Sequence, residues 1–471
     1  MSLEEIPIEI LCHIFLILCE KSIAIHVLDT RSHLNGFPWA VGQVCRRWRE
    51  AFLSYPHLWT SLSLEYIYTP GVRRPDLDGF DEMNRRTTSY LERSGQLPLT
   101  ITVSFPSVPR SKKTKGFPRA AWRSLLSCSD RWKRADLVLG NNRSLVDDLL
   151  ECRNQISILE SMSLGIDPMI TECKPQSSAF AVAPRLTDVK LTHYGQHNRW
   201  VFPWSQLKKL QMEMDNAEAA LSRLQNVEEL RLLPPRSIGL SDFNPPSPIR
   251  LPYVRLFEFR GIYYRRIFEW FEMPLLEQLC VYGHKHAFGL PEGPEWKAEI
   301  ASLINRSSCR IHSLTFCLCD DVLVLDIAET LAASIVHLCI KDPVRDTLPP
   351  LIWLIADSND GVFLPNLQEL EITCCPGQAG EKFLAAIFHL LKVRDKQSSL
   401  ALGVVPLKRV TVQPKLGDRC DWVAHCCGGL EDEAKIEILD QVVETMRGWS
   451  SIADISFDET HSQISIKPYF E

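Results

Sequence analysis

One six-residue pattern, apolar–x–x–apolar–x–apolar, returns again and again along this chain and constrains its fold more than any other feature. It reads "LTDVKL" at 186–191, "LKKLQM" at 207–212, "VEELRL" at 227–232, "VRLFEF" at 254–259 and "LEQLCV" at 276–281. It continues as "IHSLTF" at 311–316, "IVHLCI" at 335–340, "LQELEI" at 367–372 and "LKRVTV" at 407–412. Weaker copies, "WKRADL" at 132–137 and "LESMSL" at 159–164, come first. Successive copies lie roughly 20 to 40 residues apart, most of them near the 20–29-residue period of a known class of repeat arrays. In each copy the last two apolar residues stand two apart, so they share one face of a strand while the residue between them faces the other way. A single such unit cannot bury its apolar face. Stacked in parallel, the units bury a continuous core.

The copies resemble irregular leucine-rich repeats, without a consistent Asn or Cys after the strand. The resemblance implies an α/β solenoid with parallel strands over 131–471. Runs such as "AEAALSRL" (217–224), "PEWKAEIASLI" (294–304) and "GEKFLAAIFHLL" (380–391) supply its outer helices. The competing fold, a βαβ-type α/β domain, lacks a Gly-rich phosphate loop after any strand. "LPLTITVSF" at 97–105 reads as a further strand, and "PSVPRSKKTKGFPR" at 106–119 as a solvated basic loop. Residues 65–130 then form a connecting region and cap. The closing "DETHSQISIKPYFE" adds a last strand or cap.

A chain of 471 residues exceeds a single core, so more than one domain or an extended array is expected. The net charge of −6 argues against a nucleic-acid partner held by phosphate neutralisation. No apolar run approaches the ~20 residues of a membrane span. The opening "MSLEEIPIEI" has no basic n-region, so the sixteen cysteines are expected to be reduced thiols in the cytoplasm or nucleus.

The amino-terminal segment has a different pattern. In "EIPIEILCHIFLILCE", Pro7 suits a first helical turn and Glu9 the positive end of the helix dipole. Ile6, Ile10, Leu11, Ile14, Phe15 and Leu18 recur at helical spacing. A second helix from about Pro38 carries Val41, Val44, Cys45, Trp48 and Phe52 on one side, with Arg46, Arg47, Arg49 and Glu50 on the other. So few short helices cannot bury that many large side chains on one another. A surplus of this kind marks a partner site.

"IPIEILCHIF" followed by "VGQVCRRWREAFLSYPHLWTSLSL" resembles an F-box, above all the version found in a large fungal group of such proteins. The resemblance covers residues 3–64 and implies a small all-α domain that docks on the Skp adaptor of a cullin–RING ubiquitin ligase. Carried over by position, the adaptor-facing or adaptor-supporting residues are Ile6, Pro7, Ile10, Leu11, Ile14, Val44, Cys45 and Trp48. The linker between the halves is longer than usual, with room for an extra turn around Ile23–Leu28. Tyr55, Leu58 and Trp59 are expected to pack the last helix onto the start of the array.

No catalytic residue, metal ligand or cofactor is assigned. "CDWVAHCC" at 420–427 lacks paired C-x-x-C spacing, and in "CLC" the residues Cys317 and Cys319 are expected to share a strand face. His284 and His286 follow a strand and read as loop residues. The residue between the inward pair of each repeat gives the candidate client-reading row: Lys190, Gln211, Arg231, Glu258, Cys280, Thr315, Cys339, Glu371 and Thr411. The expected function is a substrate receptor of an SCF-type ligase that holds a protein client and performs no covalent chemistry itself. The alternative is a repeat-based interaction scaffold outside any ligase.

Overall fold

The computed structural model describes residues 6–18, 23–26, 41–65, 77–105, 119–140, 142–166, 178–192, 200–214, 218–234, 247–260, 267–283, 296–319, 321–342, 348–356, 363–374, 381–394, 404–414, 453–458 and 463–468. They fall into two compact units, one running to Val227 and the other starting at Glu228. Both are mixed α/β and both are built on parallel strands.

The first unit carries helices α1 (Ile8–Leu18), α2 (Val41–Val44), α3 (Arg46–Ser54), α4 (Leu77–Arg93), α5 (Arg119–Leu126), α6 (Arg143–Asp148) and α7 (Glu218–Leu221). Its strands are β1 (Ile23–His26), β2 (Ser61–Glu65), β3 (Leu99–Ser104), β4 (Trp132–Gly140), β5 (Ser161–Ile166), β6 (Asp188–Thr192) and β7 (Lys209–Glu213). They pair in chain order, each parallel to the next.

Two expectations change here. The segment around Ile23–Leu28 contributes a strand instead of an extra helical turn, because Ile23 and Ile25 sit in register with Leu62 and Leu64. The first 65 residues are therefore not purely helical. The helix expected over 217–224 is the four-residue α7, since Arg223 and Leu224 tighten into turns on the carbonyls of Ala220 and Leu221.

The second unit begins with β8 (Glu229–Leu233). It continues through β9 (Ile249–Arg250), β10 (Leu256–Arg260), β11 (Phe271–Glu272), β12 (Gln278–Tyr282) and β13 (Ser313–Cys317) to β14 (His337–Lys341), β15 (Glu369–Cys374) and β16 (Arg409–Pro414). Between them lie α8 (Trp296–Ser307), α9 (Asp321–Thr330), α10 (Leu348–Ala356) and α11 (Glu381–Val393). Strands β8, β10, β12, β13, β14, β15 and β16 are parallel in that order, while β9 and β11 form a small side pair. The expected last strand exists as β18 (Gln463–Pro468). It joins β16 antiparallel and is paired in turn with β17 (Ala453–Asp458), so the ladder closes on a reversed pair.

All three apolar positions of the repeats are interior. Leu314, Leu338 and Leu370 are fully or almost fully buried in one row, and Phe316, Ile340 and Ile372 in the next. Burying a side chain of this size contributes about 1.5–3 kcal/mol. Strand entry repeats as well: the Glu277 carbonyl accepts from the N–H groups of both His312 and Ser313, His312 from Val336 and His337, and Val336 from Gln368 and Glu369.

Side chains add ties that the apolar pattern does not reveal. In the first unit Arg131 donates to the Leu97 carbonyl at 3.0 Å and to Ser94 Oγ at 2.6 Å. In the second unit Arg306 Nε reaches the Phe271 carbonyl at 3.0 Å. Arg394, 1 % exposed, donates to the carbonyls of Phe363 (2.6 Å), Ile355 (3.0 Å) and Leu364 (3.3 Å). Each guanidinium gives a donor to backbone carbonyls of an earlier turn, where the groups are wholly or partly withdrawn from water. No helix among the described residues is long and apolar enough to cross a membrane.

Candidate partner-docking surfaces

Helix α1 is apolar on two sides. Its inner stripe, Leu11 and Phe15, is fully buried. The Phe15 ring stands edge-on to Trp48 at 5.2 Å and to Phe52 at 6.5 Å, which fixes α1 on α3. Its outer stripe, Ile10, Ile14 and Ile17, keeps the i, i+4, i+7 spacing of one helix face and lies open, Ile10 at 52 % and Ile17 at 57 %. Val44, at the end of α2, is 57 % exposed, and Ile8 and Leu53 are exposed too. An amphipathic surface helix would carry polar residues at these positions.

Local chemistry sets the turn between α2 and α3. Cys45 has extended backbone and caps α3, its Sγ accepting from the Trp48 N–H at 3.4 Å. Arg49 Nε donates to the Gly42 carbonyl at 2.7 Å, and Arg47 donates to the Ile6 carbonyl near the start of α1. The break at Cys45 turns what reads as one helix in the sequence into two.

Of the eight residues assigned to adaptor binding, Pro7, Ile10, Ile14, Val44 and Cys45 are exposed and Ile6 and Trp48 are half-buried. Leu11 is fully enclosed, so it supports the surface from inside. Ile8, Ile17 and Leu53 were not among the eight. Ile17 was readable in the sequence, seven residues beyond Ile10.

Trp59 is fully buried, its ring 4.9 Å from Phe52 and its indole N–H donating to the Phe52 carbonyl at 3.1 Å. Leu58 is buried beside it, while Tyr55 is half-buried against the His57 ring.

The residues chosen as a client-reading row form true register rows. In the first unit Lys190 and Gln211 are paired neighbours. In the second, Arg231, Glu258, Cys280, Thr315, Cys339, Glu371 and Thr411 follow one another strand by strand. They are not equally open: Lys190 is exposed, Gln211, Arg231, Thr315 and Glu371 are half-buried, and Glu258 and Thr411 are buried. Glu258 lies beneath two guanidiniums, Arg260 Nε at 2.7 Å and Arg231 Nε at 3.6 Å. Next to this row Ser313 Oγ lies 3.0 Å from His337 Nδ1, and His337 Nε2 lies 4.0 Å from Glu371.

Two thiols sit in the middle row. Burial, reinforced by the Glu371 carboxylate, pushes Cys339 up to about 12, and burial likewise raises Cys280. Both remain protonated at neutral pH and act as small, weakly polar floor residues. Cys319 does not share a strand face with Cys317: β13 ends at Cys317, and Leu318 takes a left-handed φ of 56°. Among the described residues no group of three or more His, Cys, Asp or Glu is arranged to hold a metal. "CDWVAHCC" at 420–427, His284 and His286 lie outside the described residues. Compared with models of protein families and with curated proteins, the chain matches none.

Proposed function

We propose that this chain is a substrate-recognition subunit of an SCF-type (Skp–cullin–F-box) ubiquitin ligase. In this reading the amino-terminal helices dock on a Skp-type adaptor. An irregular leucine-rich-repeat solenoid holds a protein client within reach of a ubiquitin-conjugating enzyme. The chain supplies binding and orientation in the cytoplasm or nucleus, and no covalent step.

The observation that carries the proposal is the outer stripe of α1, with Ile10, Ile14 and Ile17 open to solvent while Leu11 and Phe15 fill the interior. With Val44 it presents the kind of apolar anchors that fill a groove on a partner. The ladder of outward polar rows is the natural place for a client on a repeat array.

The test is co-purification of the full chain with a Skp-type adaptor. Wild type is expected to retain the adaptor, and Ile10→Asp combined with Val44→Asp to lose it while the melting temperature stays unchanged. A folded wild-type chain that retains no adaptor removes the ligase reading and leaves an interaction scaffold.

A further inference from the structure

The outward face of the second unit is polarised along the strand direction. At the strand starts, Glu229 and Glu369 face one cation, Arg409. In the middle row, Glu258 and Glu371 face one cation, Arg231. The row at the strand ends carries Arg260 and Lys341 and no acid, with Tyr282 and Cys317 between them in register.

Both cations of that row keep area open to solvent. Arg260 lies 2.7 Å from the sunken Glu258 carboxylate, which it shares with Arg231 at 3.6 Å, and Arg231 is drawn in turn to Glu229 at 3.4 Å, so Glu258 is not left to Arg260 alone. Its guanidinium also lies over the Tyr282 ring, 4.3 Å from the centroid, which fixes its direction while its side chain stays 45 % exposed. Lys341 is half-buried and has no ion pair among the described residues. It stands two residues beyond Cys339 on β14 and so shares the outward face of that strand.

We propose that this row takes an extended client segment laid across the strands, with two acidic side chains four residues apart, one against Arg260 and one against Lys341. The spacing follows from geometry. The two cations stand three strands apart, about 14 Å at ~4.8 Å per strand, and an extended chain covers about the same distance in four residues at ~3.4 Å each. Side chains at i, i+2 and i+4 of that segment point the same way. The middle one meets Tyr282 and the buried Cys317, where a small or hydroxyl-bearing side chain fits. Burial, with Glu258 adding to it, lifts the Tyr282 phenol to about 12, so it stays a neutral donor. This inference rests on reading the chain as a client receptor.

The test is fluorescence anisotropy of labelled synthetic peptides against the full chain. The peptides carry two Asp residues at i and i+4, or at i and i+3, in otherwise identical composition. The i, i+4 peptide is expected to bind at least tenfold more tightly. Arg260→Gln or Lys341→Gln should each weaken it about tenfold, whereas Lys341→Arg should retain binding. Equal affinity for both spacings, indifference to these substitutions, or no binding of either peptide overturns the proposal. Adaptor retention is measured on the same preparations. Adaptor bound with no spacing preference removes this inference alone; a spacing preference without adaptor removes the ligase reading alone.

Discussion

The Trp59 indole meets the Tyr90 ring edge-on, centroids 5.2 Å apart and planes at 74°, and Arg93 covers the other part of the indole at 4.6 Å. Through Phe52 on one side and Tyr90 on the other, this residue joins α3 to α4. The Tyr90 hydroxyl donates in turn to the Ser61 carbonyl at the start of β2. Trp59→Ala should cost about 3–5 kcal/mol, because it empties a fully enclosed site contacted from two helices. Urea unfolding followed by circular dichroism measures it; a loss below about 1 kcal/mol would show that Trp59 is peripheral.

The two stripes of α1 should separate stability from binding. Leu11→Ala removes buried apolar volume and is expected to destabilise by about 2–5 kcal/mol. Ile10→Asp, on the open stripe, should change stability by less than about 0.5 kcal/mol. Thermal melts of the two variants side by side check the contrast, and equal losses would refute it.

At Gly283 an added Cβ would stand 2.0 Å from the Leu318 carbonyl oxygen and 2.8 Å from its carbon. Those atoms are backbone, and the Gly283 N–H also donates to the Cys317 carbonyl at 2.7 Å, so neither strand end can step aside. Gly283→Ala should destabilise by at least about 1–3 kcal/mol, the usual range for forced overpacking. An unchanged melting temperature would contradict the close approach.

Arg394 is costly to bury: desolvation brings its guanidinium down to about 10. It is retained where three backbone carbonyls converge on it, and among the described residues only that of Leu364 has a second donor, the Leu367 N–H, so Arg394→Met should take the donor from the Ile355 and Phe363 carbonyls and cost about 2–4 kcal/mol. Arg394→Lys cannot reproduce the planar fork and should recover less than half of the loss. Denaturation of both variants decides, and a Met variant as stable as wild type would make the hydrogen bonds dispensable.

Glu82 supplies a pH test. Hydrogen bonds from Arg85, and then from Arg86, hold its carboxyl below the ordinary carboxylate value. A depressed folded-state value stabilises above the unfolded pKa, about 4.3, and that stabilisation disappears as pH falls through the folded value. Glu82→Gln should therefore lie about 0.5 kcal/mol below wild type at pH 7. The two should converge under acid conditions. A gap that persists at pH 2 would assign the difference to packing.

Much of the second unit could be read from residue spacing. In "IVHLCI" the apolar Ile335, Leu338 and Ile340 are interior, and Cys339 between the last two stands in the outward row. The same offset places Lys341 and Arg260 one residue past the last apolar position, yet nothing in either copy marks them as partners in one charged row. That row exists only because Tyr282 and Cys317 align between them. The amino-terminal apolar surplus was equally visible, but its division into Leu11 within and Ile10 without depends on where α3 sits. The strand at Ile23–His26 had no repeat to announce it.

Residue order by itself determined which positions of each repeat point inward, because a strand alternates its side chains whatever it packs against. Tertiary structure decided how deep the outward positions lie. Glu258 and Cys339 face away from the core and are nevertheless 6 % and 2 % exposed. Neighbours cover them, Arg231 from the adjacent strand and Arg260 from two residues along the same strand over Glu258, and the exposure of a residue is set by those neighbours as much as by its own side chain.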